Sequence, residues 1–191
     1  MYKRSAIVSS QIIIREMRPW ELFYLHKLYD SLSDESKKFF HPGFLGYKNI
    51  SLKWLASQIA LFFSCISFIR KIWFTIFPRF VIIALVAYEN RELVGFAYVN
   101  VKRTLMKNIL LGELGIFVGE SHRGKGIGNK LIANLLLFSK KYNVRVVYLK
   151  VLSDNVRAIR LYQKYGFKKV GITLEKWKGK TYEAIIMKKT F

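Results

Sequence analysis

A glycine-rich stretch in the middle of the chain has residue types that could bind a phosphate. Residues 123–128, with the sequence RGKGIG, follow an apolar strand-like run and precede residues 129–141, whose apolar side chains recur at helical spacing. Such a turn offers unpaired backbone N–H groups and the positive end of a helix dipole. Arg123 and Lys125 add positive charge. This stretch, the glycine loop, therefore predicts a phosphate or diphosphate site.

Two known phosphate-binding motifs, one for nucleoside triphosphates and one for dinucleotides, match the glycine loop only in part. In the loop of NTP-binding proteins, Gly119, Gly124 and Lys125 would fill their positions. Gly126, however, stands where the magnesium-binding hydroxyl is required. In the dinucleotide fingerprint, Asn129 stands where the third glycine is required, and no early strand–helix–strand unit precedes it. A structural turn without any ligand is the remaining alternative.

The charge balance is strongly basic. The chain has 33 Lys and Arg residues against 12 Asp and Glu residues, a net charge of +21. Such a field attracts phosphates of many kinds. The basic residues are scattered over the chain, and no helix-turn-helix, zinc-finger or RNA-binding signature accompanies them. We therefore expect no specific nucleic-acid partner.

Cysteine and histidine usage indicates an intracellular protein without a metal. The single cysteine, Cys65, excludes an intrachain disulfide and a cysteine-cluster zinc site, and the three histidines lack metal-ligand spacing. The basic start of the chain is not followed by an apolar signal region. With 52% hydrophobic residues in 191, we expect one folded domain over residues 1–191, in the cytoplasm.

The order of elements predicts a mixed α/β domain with an antiparallel first half. Two short helices, beginning near Pro19 and Ser33, should follow the first strand. Asn90-Arg91 predicts a two-residue hairpin turn. The expected strands are residues 11–16, 80–88, 93–101, 110–118, 144–151, 167–177 and 182–188, and the later helices are residues 129–141 and 155–164.

Residues 51–77 depart from this pattern because they are unusually apolar. From Trp54 to Ile69 the chain runs 16 positions without a charge, somewhat short of the roughly 20 residues of a membrane-spanning helix. Small or polar residues recur along one side of the predicted helix. We favour a buried helix that covers the sheet and helps to form a substrate pocket. A homodimer interface and a helix lying in a membrane surface remain open alternatives.

Residues 113–167 resemble the GCN5-related N-acetyltransferase (GNAT) superfamily in two motifs. Its cofactor signature, Q/R-x-x-G-x-G/A, is matched by Arg123, Gly126 and Gly128. Its later motif, an asparagine followed by A-x-x-L-Y-x-K-x-G-F, is matched between Asn155 and Phe167. Two motifs in this order are more specific than either alone. The resemblance implies a mostly antiparallel sheet of six to seven strands, flanked by helices, and an acetyl-CoA-dependent N-acetyltransferase.

The resemblance also implies roles for individual residues. The thioester carbonyl of acetyl-CoA would meet the backbone N–H near Val118. Tyr162 would be the general acid toward the leaving thiolate, and Glu113 would accept the amine proton through water. A packed aromatic and a solvated strand-end glutamate are the alternatives for these two. The implied cofactor-binding residues are Ile116, Phe117, Val118, Arg123, Gly124, Lys125, Gly126, Ile127, Gly128, Asn155 and Tyr162.

The implied reaction is the direct attack of a primary amine on the acetyl thioester. The sequence does not specify the acceptor, which could be a small molecule or a protein. Lys150 stands where protein N-terminal acetyltransferases often carry a glutamate, which disfavours that class. The net charge disfavours polycationic acceptors. A membrane-associated acyltransferase that uses residues 51–77 and a non-catalytic acyl-CoA-binding module are the alternative functions.

Overall fold

The structure is a computed structural model, and it describes residues 11–40, 81–103 and 109–191. Residues 51–77, with the homodimer and membrane-surface predictions placed on them, lie outside these ranges. Single turns of 3-10 helix occupy Pro19–Glu21 and Glu120–His122. The longer elements are β1 (Ile12–Glu16), α1 (Leu22–Asp30), α2 (Asp34–Phe39), β2 (Val81–Glu89), β3 (Glu92–Arg103), β4 (Leu110–Val118), α3 (Ile127–Lys141), β5 (Val144–Leu152), α4 (Val156–Lys164), β6 (Lys168–Trp177) and β7 (Lys180–Thr190).

The described strands form one mixed sheet in the order β1-β2-β3-β4-β5-β7-β6. Every neighbouring pair is antiparallel except β4 and β5, which are parallel. The predicted mixed α/β class and the mostly antiparallel sheet are confirmed. The parallel pair matters for the site, because α3 crosses over between its two strands.

The predicted elements are present, with small differences at their ends. Asn90 and Arg91 have φ angles of 50° and 67°, as a two-residue hairpin turn of type I′ requires. Helix α3 begins at Ile127, two positions before the predicted start. Gly128 has a low helix propensity, which is why the sequence pattern predicts a later start. In the structure Gly126, at φ 78°, directly precedes the helix.

Apolar side chains pack against both faces of the sheet. One cluster lies beneath α3, where Leu131 and Leu135 are fully buried. The other lies beneath α1 and includes Leu25, Phe96 and Phe117. The helices therefore cover both faces of the sheet. The chain between β4 and α3 is held at one end by a paired strand and at the other end by a buried helix.

Strands β4 and β5 separate toward their carboxyl ends. They pair only from Leu110 to Glu113 on β4. Beyond this point β4 stays paired with β3 as far as Val118, and β5 stays paired with β7 as far as Leu152. Within the described residues, positions 114–118 of β4 thus have no strand on the β5 side. The separation opens a cleft at the carboxyl ends of two parallel strands, a common position for ligand sites in α/β sheets.

Candidate active site

The glycine loop presents an open backbone surface at one end of this cleft. Gly124 and Gly126 have φ angles of 87° and 78°, and a Cβ atom on either would meet no atom within 4 Å. The first helical bond of α3 runs from the Lys130 N–H to the Gly126 carbonyl, at 3.1 Å. The amides of the first turn, before Lys130, have no helical carbonyl to bind. These amides and the helix dipole suit an anion.

A cavity of about 510 Å³ connects the glycine loop with β4 and α4. Its walls include ten of the residues predicted to bind the cofactor, which the fold brings together from three segments of the chain. These are Ile116, Phe117, Val118, Arg123, Gly124, Gly126, Ile127, Gly128, Asn155 and Tyr162. Lys125 and Glu113 are not among the lining residues.

The Lys125 side chain binds a buried carboxylate instead of lining the cavity. Its Nζ atom donates to Glu89 Oε2 at 2.7 Å, and Glu89 is only 4% exposed. His122 Nε2 lies 3.4 Å from the same oxygen. The positive charge that Lys125 brings to the loop is therefore paired, and its contact with a cofactor stays a prediction. Its charge is balanced by Glu89, although its backbone belongs to the loop.

Arg123 joins the glycine loop to β4 and to α2. Its Nε atom donates to the Val118 carbonyl at 3.2 Å, and its Nη2 atom donates to Ser36 Oγ at 2.9 Å. Ser36 in turn donates to Glu120 Oε1 at 2.5 Å. Hydrogen bonds from Ser33 and Ser36 lower the pKa of Glu120 to about 2. This network fixes the entrance of the cavity between α2 and the loop.

Tyr162 lies on the cavity wall with a largely buried side chain. It is 7% exposed, and its ring packs edge-on against Phe167 with centroids 5.9 Å apart. Burial raises the pKa of its phenol above the ordinary value of 10.0. The phenol is therefore neutral at physiological pH, which is the form that a general acid requires.

Asn155 begins helix α4, which carries Tyr162. Its Oδ1 atom accepts a hydrogen bond from the Ala158 N–H at 3.1 Å. Asn155 is thus the N-cap of α4, and such a cap fixes the first turn of the helix. Asn155 also lines the cavity. Its contact with a cofactor stays a prediction.

Glu113 lies at the point where β4 and β5 separate, next to Tyr148. It forms the last β4–β5 pair with Tyr148, whose hydroxyl donates to Glu113 Oε2 at 3.4 Å. Lys102 Nζ lies 3.9 Å from the same oxygen, and the Glu113 side chain is 35% exposed. Burial and Glu113 together raise the pKa of Tyr148 to about 12. Glu113 therefore belongs to a polar cluster at the closed end of the cleft.

The structure adds two sets of cavity residues that the sequence analysis did not assign to the site. Phe40 packs against Phe117 with ring centroids 4.7 Å apart, so the end of α2 forms an aromatic wall. No local sequence pattern predicts that contact. The second set is basic and lies on α4 at spacings of three and four, a pattern visible in the sequence. It consists of Arg157, Arg160 and Lys164.

Two further observations bear on the class of site. The described residues contain no group of three or more His, Cys, Asp and Glu side chains that could hold a metal. None of the helices in the described ranges is long and apolar enough to cross a membrane.

Comparison with known proteins gives the family. Residues 52–167, more than half of the chain, match the family model for the acetyltransferase (GNAT) family. The chain belongs to the GNAT family. The matched range includes residues 113–167, in which the two sequence motifs lie.

Several curated proteins resemble part of the chain. A spermine/spermidine N(1)-acetyltransferase from Bacillus subtilis is 32% identical over 84 residues, which cover 42% of this chain and 55% of that protein. The N-alpha-acetyltransferase RimI from Mycobacterium tuberculosis is 36% identical over 87 residues, 45% of this chain and 52% of that protein. The chain spans about half the length of these curated relatives.

Solved structures share the GNAT fold along nearly the whole chain. An acetyltransferase of the GNAT family from Streptococcus pneumoniae has a TM-score of 0.70 and 23% identity, with 94% of this chain and 99% of that chain covered. A spermidine N-acetyltransferase from Vibrio cholerae, solved with CoA and spermine, has a TM-score of 0.64 and 18% identity, with 94% and 95% covered. At sequence identities of 23% and 18%, the similarity to these structures shows a shared fold and nothing more.

Proposed function

We propose that this GNAT protein is an acetyl-CoA-dependent N-acetyltransferase that acetylates a primary amine. The observation that carries the proposal is the shared lining of one cavity by the glycine loop, the unpaired edge of β4 and Tyr162. These three elements would hold the diphosphate, the amide-containing arm and the sulfur of one extended ligand. When bound, acetyl-CoA supplies an activated acetyl thioester.

The unpaired edge of β4 suits the amide groups of the pantetheine arm. Gly119 donates its N–H to Val94 of β3, whereas the Val118 carbonyl is bound by Arg123 on the other side. Because both polar groups of a strand residue point to the same side, the Val118 N–H also faces away from β3. It would donate to the carbonyl oxygen on which negative charge develops.

The proton balance of the reaction involves the two predicted catalytic residues. The amine nitrogen bonds to the acetyl carbon, and the carbon–sulfur bond breaks. Tyr162 gives its phenolic proton to the departing thiolate and recovers a proton from solvent. Its buried, neutral phenol supports this role. Glu113 accepts the proton of the amine through water, from its position where β4 and β5 separate.

The chemical class of the acceptor is inferred from the net charge of the chain alone. A net charge of +21 repels polycations and attracts anions. We therefore expect a primary amine that also carries a carboxylate or a phosphate. The names of two similar proteins contain spermine or spermidine, and these polyamines are the acceptors that would contradict the charge argument.

The test is a measurement of thiol release from acetyl-CoA in the presence of a panel of amines. The panel holds amino acids, phosphate-bearing amines, peptides with free N-termini, and spermine and spermidine, with product masses read by mass spectrometry. Turnover with a mass increase of one acetyl group supports the proposal, and anionic amines should be acetylated fastest. A preference for polyamines would overturn the charge argument, and acetyl-CoA binding without turnover on any amine would favour a non-catalytic binding module.

A further inference from the structure

Helix α4 carries three cations that face the same cavity. Arg157, Arg160 and Lys164 follow one another at steps of three and four, so they occupy one side of the helix. All three line the cavity wall. Within the described part of the chain, none of them forms an ion pair. They therefore present uncompensated positive charge to whatever occupies the cavity.

Two other lysines near the site are compensated. Lys125 binds Glu89 at 2.7 Å, and Lys150, on the cavity wall, binds Glu175 at 2.7 Å. The charge of α4 is thus a local excess and not simply a share of the basic surface. A cluster of this kind concentrates anions at its position.

The last turns of α4 lie directly against the end of the glycine loop. Tyr165 donates its hydroxyl to the Asn129 carbonyl at 2.9 Å. A Cβ atom on Gly128 would lie 3.5 Å from Leu161 Cδ2. The α4 cations therefore flank the surface on which the loop amides would hold a diphosphate.

An unsatisfied acceptor lies at the same junction. The Asn129 Oδ1 atom is buried and has no hydrogen-bond partner among the described residues, and Asn129 lines the cavity. Buried polar atoms are nearly always paired, so this acceptor on the cavity wall is open to a donor from a water molecule or from a ligand. Ribose hydroxyls and adenine amines are such donors.

We propose that Arg157, Arg160 and Lys164 form a subsite for a phosphate monoester, the 3′-phosphate on the ribose of coenzyme A. This inference rests on the proposed function, because the loop amides are taken to hold the diphosphate of the same ligand. Its consequence is selectivity. The protein distinguishes CoA thioesters from dephospho-CoA thioesters, which differ only in that phosphate.

The test compares two ligands on three proteins. Acetyl-CoA and acetyl-dephospho-CoA are titrated by calorimetry into the wild-type protein at fixed ionic strength. The same titrations are made with R157Q/R160Q/K164Q and with the control K168Q/K169Q/K176Q. The control removes the same three charges from exposed β6 positions that do not line the cavity.

Hydrogen bonds to charged groups correspond to roughly ten- to hundredfold in affinity. We expect the wild-type protein to prefer acetyl-CoA by that factor. The α4 variant should lose the preference by weakening acetyl-CoA alone, and the β6 control should keep it. Raising the salt concentration should reduce the preference.

Equal binding of the two thioesters by the wild-type protein would overturn the subsite and leave the proposed function intact. An α4 variant that weakens both thioesters equally would also overturn it, because the cations would then act on the ligand without reading the 3′-phosphate. Binding of neither thioester more tightly than ATP would remove the subsite and the proposed function together.

Discussion

Glu89 Oε2, buried at the end of β2, lies 2.7 Å from Lys125 Nζ in the glycine loop. His122, just before the loop, places its Nε2 atom 3.4 Å from the same oxygen. One carboxylate from a distant strand thus binds two side chains that flank the turn. This contact pairs the Lys125 charge with Glu89 and ties the loop to the end of β2.

Replacing Glu89 with glutamine should therefore loosen the glycine loop. We expect a loss of about 1–3 kcal/mol in the free energy of unfolding, since a charged hydrogen bond is removed. The affinity for acetyl-CoA should fall several-fold, because binding must then order the loop. Denaturant unfolding and calorimetry measure the two effects. Glu92→Gln, at an exposed position of the same hairpin, is the matched control, and identical behaviour of the two variants would refute the assignment.

The conformation of Gly126 allows its two possible roles to be separated. Gly126 and Gly179 share a φ of 78°, and a Cβ on either would meet no atom within 4 Å. Alanine at either position should lower the free energy of unfolding by about 1–2 kcal/mol, through backbone strain alone. Only Gly126→Ala places a methyl group on the proposed diphosphate surface. Its acetyl-CoA dissociation constant should rise roughly tenfold, and equal affinities for the two variants would mean that the ligand lies elsewhere.

Tyr162→Phe should slow acetyl transfer without weakening acetyl-CoA binding. Removing a general acid typically costs about a hundredfold in kcat, and the remaining ring keeps its packing on Phe167. Burial raises the pKa of Tyr162, so its acidic form should persist throughout the neutral range and the wild-type rate should show no loss there from its deprotonation. Steady-state kinetics with the best amine of the panel measure this. Tyr24→Phe, at an exposed position, serves as the control, and an unchanged kcat for Tyr162→Phe would remove the acid assignment.

The Glu120 network predicts a specific dependence of stability on pH. Ser33 and Ser36 lower the pKa of Glu120 from 4.5 to about 2 in the folded protein. A carboxylate whose pKa falls on folding stabilises the fold above its unfolded pKa, and this stabilisation disappears as the pH falls through the folded value. The difference in melting temperature between the wild-type protein and Glu120→Gln should thus be largest near neutrality and vanish between pH 4.5 and about 2. A difference that does not change with pH would contradict the network.

Much of this architecture could be predicted from local sequence patterns. The Asn90-Arg91 turn depends on two adjacent residues, and it is present. Along the strands, apolar residues either alternate with polar ones or follow one another directly. The lengths of these runs identify them as strands without any knowledge of tertiary contacts. The glycine loop and Tyr162 were found because their motifs are short and contiguous.

The rest depends on contacts between residues far apart in the chain. No local pattern pairs Glu89 with Lys125 or predicts that β4 and β5 separate after Glu113. Both depend on how the strands assemble. The α4 cations are a different case, because their spacing was visible in the sequence. Their meaning required the cavity, since a basic helix face is ordinarily solvent-exposed.

The central claim is that this cavity binds acetyl-CoA through the glycine loop and the edge of β4. Calorimetric titration of the purified protein with acetyl-CoA, with ATP as the comparator at the same ionic strength, tests it most directly. The account predicts tight binding of acetyl-CoA, weak binding of ATP, and a marked loss of the former in Gly126→Ala. Binding of acetyl-CoA no tighter than that of ATP would mean that the loop is only an electrostatic phosphate site, and would contradict the account.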